Sequence, residues 1–347
     1  MTATIKVAVP QVEPCWFDAQ ATVAKSIKLM EEAAANGARI IAFGELWCPG
    51  YPSFLYGGRM NDIYGHVIKY GVQALELDGP ELKAIGEAAK KFSIITHFGF
   101  AEREGNSLYM ANAIFDENGK LLLHRRKLKP SHYERILFGE GGRESAINVV
   151  ETSIGRVSVM NCWEHFQPLL KYATYSQRPL IHIAAWPMLH PHGGVEQWSH
   201  SNASATGVTR TVACESGAFV LCASNTLGEK GMALNKVEMG GHVDSGHIQP
   251  GGGITAIYGP DGRQLSRDLP DDEETIIYAD IDPDQQRFAG MVQDVVGHYS
   301  RPDIFTLYVN AKPTPRVVFG EHVGAETLSA PAPSLPSAKE AEVLVGP

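Results

Sequence analysis

The chain has 347 residues, 44% of them hydrophobic, enough to bury a core as one large α/β domain or as two ordinary ones. Charged residues make up 20% and the formal net charge is −9, with Lys and Arg scattered apart from one short cluster at Arg125, Arg126, Lys127 and Lys129; this pattern argues against a nucleic-acid or anionic-membrane surface. Residues 1–9 lack a basic stretch followed by about 7 to 15 apolar residues, and no run approaches ~18 uninterrupted apolar residues, so the chain reads as a soluble cytoplasmic protein. Cys15, Cys48, Cys162, Cys214 and Cys222 are odd in number and form no C-x-x-C pair, which suits separate thiols in a reducing compartment better than a disulfide framework or a zinc ribbon.

In chain order, residues 5–9 and 39–43 are short β-branched or apolar runs, and residues 19–36 between them carry apolar side chains at helical spacing up to Gly37. Residues 80–92 read as an amphipathic helix opening at a Gly-Pro signal, followed by a strand over 93–101. Residues 108–115 and 120–124 are strand-like and flank Asp116, Glu117, Asn118 and Gly119, a turn composition that predicts an antiparallel hairpin and hence a mixed sheet. Residues 155–161 alternate as a strand, 167–177 suit a helix, and 180–184 form another apolar run. Helical stretches are expected over 195–217 and a strand over 218–223; residues 253–258 and 275–280 suggest a second hairpin around Pro260, Asp261 and Gly262. One continuous domain over 1–310 is expected. A C-terminal extension follows over 311–347, turning Ala/Pro/Ser-rich and mobile from about residue 327, where too little apolar surface remains to offset ordering entropy.

Three segments carry side chains suited to chemistry. In Met160-Asn161-Cys162-Trp163-Glu164-His165 a strand ends on a cysteine and a helix follows, a corner that exposes a thiol to backbone N–H groups able to stabilise a thiolate or an oxyanion. The bland reading is a small buried core cysteine, true of most free cysteines. Phe43-Gly44-Glu45-Leu46-Trp47 sets a carboxylate at the end of an apolar strand, where burial raises its pKa towards that of a general base; the rival role is a helix cap or an arginine partner. The run from His124 to Pro130, continuing through His132, Tyr133, Glu134 and Arg135, reads mostly as a solvated charged face. One lysine pointing inward would stabilise negative charge developing on a substrate heteroatom, and Lys127, which closes the strand, fits best, with Lys129 as its rival.

His165, His182, His190, His192, His200, His242 and His247 match no H-E-x-x-H or paired C-x-x-C spacing, so no metal is expected. No phosphate-binding G-x-x-x-x-G-K-[ST] occurs, and Gly251 to Gly253 is a bare glycine run, so no nucleotide cofactor is expected either.

A glutamate at a strand end, a lysine after the next hairpin and a cysteine after a later strand resemble the Glu-Lys-Cys arrangement of the nitrilase superfamily over about residues 5–307. Cys162-Trp163-Glu164-His165, together with Arg126-Lys127-Leu128-Lys129-Pro130 and Gly50-Tyr51-Pro52, looks like its true nitrilase branch. The resemblance implies a four-layer α-β-β-α sandwich of the α/β class. It assigns Cys162 as nucleophile, Glu45 as general base and acid, Lys127 as the cation stabilising the intermediate, and Glu134 as a second, supporting glutamate. Trp163, Tyr51, Trp186 and His165 are the candidate substrate-binding residues, with Trp47 and Tyr56 as further aromatics for an apolar pocket. It further implies a small-molecule nitrile as partner, no cofactor, and dimers that grow into spirals or filaments.

The mechanism implied is attack of Cys162 on a nitrile carbon, giving a thioimidate, with acid and ammonia as the main products. Rival readings are hydration of cyanide or a nitrile to an amide, an amidase or carbamoylase using the same three groups, and an inactive filament-forming scaffold.

Overall fold

The computed structural model describes residues 3–57, 59–191, 197–237, 249–314 and 317. The chain opens with β1 (Ile5–Gln11), α1 (Ala19–Ala35) and β2 (Ile40–Ala42). Asp18 caps α1 by accepting from the Ala21 N–H, and Gly37 with φ +85° turns the chain back towards β2. Next come α2 (Met60–Val72), α3 (Pro80–Phe92), β3 (Ile95–Glu104), β4 (Ser107–Phe115) and β5 (Leu121–Arg126). The turn between β4 and β5 closes through Asp116 N–H to Lys120 O at 2.9 Å, as its composition predicted. The second half supplies β6 (Phe138–Gly139), β7 (Val149–Thr152), β8 (Gly155–Asn161), α4 (Pro168–Tyr175), β9 (Ile181–Ala185), α5 (Asn202–Ser216), β10 (Phe219–Ala223), α6 (Glu229–Asn235), β11 (Ala256–Tyr258), β12 (Thr275–Ile281) and α7 (Pro283–Val292).

These strands form two mixed sheets. One is seven-stranded with the path β12-β1-β2-β3-β4-β5, β6 pairing off β4; the other is five-stranded, ordered β11-β10-β9-β8-β7. Period-2 alternation decides what each strand face covers. Val7, Val9, Ile40, Ala42 and Ile95 of the first sheet pack against Val157, Val159, Ile181, Ile183 and Leu221 of the second, so the sheets meet face to face. The opposite face of the first sheet, with Ala8, Ile41, Phe43 and Phe98, packs on Val23 and Met30 of α1 and Leu82 and Ile85 of α3. The opposite face of the second, with Ala184, Val220 and Cys222, packs on Tyr175 of α4 and on Ala205, Val212 and Ala213 of α5. The result is the expected α-β-β-α sandwich.

The second predicted hairpin is not formed. Ala256–Tyr258 pairs with β10 in the five-stranded sheet, whereas Thr275–Ile281 pairs antiparallel with β1 in the other. A tight turn does form at Pro260, Asp261 and Gly262, closed by Gly262 N–H to Gly259 O at 2.9 Å, but it returns only as far as an isolated bridge between Tyr258 and Gln264. Residues 265–274 then carry the chain across to the first sheet; local turn chemistry reports a reversal and not the strand's eventual partner. Three helices, α2, α6 and α7, were not anticipated. The extension from residue 327, and with it His192, His242 and His247, lies outside the described residues. Among the described residues no helix is long and apolar enough to cross a membrane.

Candidate active site

Glu45, Lys127, Glu134 and Cys162 come from three connections, the one after β2, the one between β5 and β6, and the one after β8, and converge under one cavity. Glu45 follows β2, and its backbone is tied to the second sheet: its N–H donates to Trp186 O at 3.1 Å, and Asn225 Nδ2 donates to its carbonyl at 3.2 Å. The neighbouring strand approaches so closely that a Cβ on Gly99 would sit 2.2 Å from Gly44 O, so residue 99 must be glycine for this loop to seat. Lys127 follows β5 and is pinned by its N–H to Met110 O at 2.7 Å and by Gly141 N–H to its own carbonyl at 2.9 Å. Cys162 follows β8, adopts φ +46°, and opens the short 3-10 helix Cys162–Phe166. A non-glycine residue in this left-handed region persists where its surroundings over-determine it.

The side-chain geometry separates the two glutamates. Lys127 Nζ lies 2.9 Å from Glu45 Oε1 and 2.8 Å from Glu134 Oε2, with all three side chains almost fully buried. Glu134 also accepts from Tyr51 Oη at 3.0 Å and from the Ser131 N–H. Those donors hold its carboxylate in one place. Glu45, by contrast, has a distance-only contact with Lys127: among the described residues neither of its carboxylate oxygens meets a well-aligned hydrogen-bond donor. Burial pushes its carboxyl up to about 8, Lys127 pulling it down and Glu134 adding to the rise. Burial also pushes the Cys162 thiol well above its ordinary range, against the pull of Lys127 and the Trp163 backbone N–H that faces it. Burial disfavours the Lys127 charge, yet Glu134 and Glu45 hold the ammonium well above its usual range. The site thus holds a thiol that needs a base, a carboxylate free to take a proton, and a fixed cation.

Ligand atoms of Glu45, Glu134 and Cys162 lie within 4.8 Å of one another, a spacing that suits a metal ion. The Lys127 ammonium already stands between the two carboxylates, so the positive charge a metal would bring is supplied by the chain itself.

Above this cluster opens a cavity of about 290 Å³. Its wall includes Cys162, Trp163, Tyr51, Tyr56, Tyr133, His132, His200, Met188 and Leu189. Trp163 stacks on His200 with ring centroids 4.8 Å apart, and Tyr56 meets Tyr133 at 5.0 Å. Of the expected wall residues, Tyr51, Tyr56 and Trp163 are present. Trp186 and His165 lie behind Cys162: Trp186 Nε1 donates to Thr209 Oγ1 at 2.9 Å, and the two rings stack on each other at 5.2 Å. Trp47 faces the outer core, donating to Ser26 Oγ at 2.7 Å.

Lys129 points to solvent, its side chain 63% exposed and paired with Glu140, so of the two rival lysines only Lys127 reaches the cluster. Arg125 departs from the expected solvated face. It is buried and makes a bidentate pair with Glu164, both contacts at 2.7 Å. Glu164 also accepts from the Leu128 N–H at 2.9 Å and the Asn161 N–H at 2.8 Å, binding the loop that carries Lys127 to the one that carries Cys162. Alternation along β5 held the clue, since Arg125 lies two residues before Lys127 and so shares its face.

The sequence profile of the carbon-nitrogen hydrolase family matches residues 6–289. The chain belongs to the carbon-nitrogen hydrolase family, in its nitrilase branch. An arylacetonitrilase of Aspergillus kawachii is 44% identical over 310 residues, 89% of this chain and 93% of that one. A bromoxynil-specific nitrilase of Klebsiella pneumoniae subsp. ozaenae is 40% identical over 91% of this chain and 88% of its own, and a cyanide hydratase of Armillaria gallica 39% identical over 92% and 89%. The carbon-nitrogen hydrolase of Helicobacter pylori shares the fold with a TM-score of 0.63 at 18% identity, covering 83% of this chain and 92% of that one. This hydrolase therefore acts on carbon-nitrogen bonds.

Proposed function

We propose that the chain is a nitrilase that converts an arylaliphatic nitrile to its carboxylic acid and ammonia, with Cys162 as nucleophile, Glu45 as base and acid, Lys127 as the stabilising cation and Glu134 as its anchor. The observation that carries this reading is the convergence of a buried thiol, a carboxylate that among the described residues meets no well-aligned donor, and a fixed ammonium beneath an aromatic cavity. The substrate class rests on that cavity wall and on relatives named arylacetonitrilase.

In the first step Glu45 takes the Sγ proton as sulfur attacks the nitrile carbon, and the nitrogen that gains charge is stabilised by Lys127 and the Trp163 N–H before Glu45 returns the proton. Water then adds to the thioimidate, its proton passing to Glu45. Expulsion of ammonia leaves a thioester, and a second water releases the acid and the free thiol. Expulsion of the thiolate instead releases an amide, the outcome favoured in a second reading by the cyanide hydratase relative. Self-association into dimers and spirals belongs to the same proposal, supported by the exposed apolar side chains Phe288, Met291 and Phe305.

The test is a panel of arylaliphatic, aromatic and aliphatic nitriles and cyanide, with ammonia, acid and amide measured together beside Cys162→Ala. Equal ammonia and acid, highest for arylaliphatic substrates and absent in the variant, is the expected result; amide alone supports the second reading, and no nitrile turnover overturns both.

The pH dependence follows from Glu45. Only its deprotonated form can take the thiol proton, and its carboxyl titrates at about 8. kcat/KM is therefore expected to rise with pH through about 8 and then level off. A profile flat from pH 5 to 9 would remove Glu45 from the base role.

A further inference from the structure

Beneath Cys162, on the side away from the cavity, three fully buried polar groups run in line through the apolar sandwich. His165 Nδ1 lies 2.7 Å from Cys162 O, His165 Nε2 lies 3.0 Å from His182 Nε2, and His182 Nδ1 lies 2.8 Å from Ser158 Oγ. A carbonyl can only accept, so His165 must carry its proton on Nδ1. Its Nε2 is then a lone pair, which requires His182 to be protonated on Nε2. Burial holds the His182 imidazolium well below its ordinary range, so the ring is neutral and its Nδ1 is in turn a lone pair, filled by the Ser158 hydroxyl. Each tautomer is dictated by the next group, and all three are neutral.

We infer that Ser158, His182 and His165 are positioning residues for the nucleophile: the line of hydrogen bonds clamps the Cys162 carbonyl and thereby holds the left-handed corner that aims the thiol and the Trp163 N–H into the cavity. Three observations join here. Cys162 has a positive φ that needs external restraint, the restraint at its carbonyl comes from His165, and the stack on Trp186 fixes the His165 ring plane. His182 and Ser158 sit on adjacent parallel strands of the five-stranded sheet, paired Ser158 with His182 in register, so the far end of the line is anchored in rigid backbone. The inference rests on Cys162 as the nucleophile.

The experiment compares His182→Leu, His182→Gln and Ser158→Ala with the wild type. kcat and KM are measured with the best nitrile, and the alkylation rate of the Cys162 peptide with iodoacetamide is followed by mass spectrometry. His182→Leu removes the donor to His165 and is expected to lower kcat and the Cys162 alkylation rate on the order of tenfold, KM staying unchanged because no cavity-lining residue is altered. Glutamine places an N–H where His182 Nε2–H stood, so His182→Gln is expected to restore most of both rates; Ser158→Ala, which frees His182 to change tautomer, is expected to fall between. Wild-type rates in His182→Leu, equal losses in the leucine and glutamine variants, or a rise in KM at constant kcat would overturn the inference. If His182→Leu fails to fold, the contrast between His182→Gln and Ser158→Ala decides in the same way. If the wild type turns over no nitrile, the functional reading fails, while the alkylation rates still test the clamp.

Discussion

Lys127→Met is expected to reduce nitrile turnover by on the order of a thousandfold or more, whereas Lys129→Ala leaves it within about twofold. The two lysines are two residues apart, yet only Lys127 is fully buried between Glu45 and Glu134. Removing its charge acts twice. The nitrogen that becomes negative on thiol attack loses its cation, and Glu45 loses the neighbour that holds its carboxyl down, so the base moves further above neutral pH and is protonated when it is needed. Lys129 is exposed and paired with an exposed Glu140, an arrangement worth little in water. Steady-state ammonia release from the two variants, both checked for folding by circular dichroism, decides the matter. Wild-type rates in Lys127→Met would exclude the ammonium from the chemistry.

The second large effect concerns Glu164. Glu164→Ala is expected to cost about 3–5 kcal/mol of stability, because it strands the buried Arg125 guanidinium and leaves the Asn161 and Leu128 N–H groups without their acceptor. Burial opposes the Glu164 charge, but Arg125 and those two N–H groups hold its carboxyl below the usual range. A carboxyl depressed in the folded state contributes stability that is complete above its unfolded pKa and lost as pH falls through the folded one, so the difference between wild type and variant should narrow on acidification. Because the same carboxylate joins the loops carrying Lys127 and Cys162, kcat is expected to fall as well. The double variant Arg125→Met with Glu164→Leu removes both charges at similar volume and is expected to recover much of the stability without recovering kcat. Urea midpoints and kcat for the three variants test this; a single-variant cost below about 1 kcal/mol would show that the pair is not structurally required.

Much of the local structure was legible because it depends on periods of two and 3.6 residues and on caps. α1, α3 and the hairpin of β4 and β5 follow that logic, and so do the strands that end next to Glu45 and Cys162. What local pattern does not carry is which sheet a strand joins. β12 crosses to β1 instead of folding back on β11, since its partner is chosen by the interior face it covers and not by the turn that precedes it.

The candidate site divides in the same way. Residue types and strand ends singled out Glu45, Lys127 and Cys162, because a carboxylate, an ammonium and a thiol are recognisable as chemistry wherever they stand, while Glu134 came only from the family resemblance. Their separation along the chain says nothing of distance, and only the packing of two sheets brings three connections to one point, leaves Glu45 without an aligned donor among the described residues while Glu134 has three, and turns Lys129 outward. The same packing puts His165 and Trp186 behind Cys162, and Tyr133, His132 and His200 on the cavity wall beside the expected Tyr51, Tyr56 and Trp163. The sequence determined which groups are available and which strands present them; burial and three-dimensional neighbourhood decided which hold their charge, which lack an aligned donor, and which face the cavity, because those properties depend on desolvation and on partners distant in the chain.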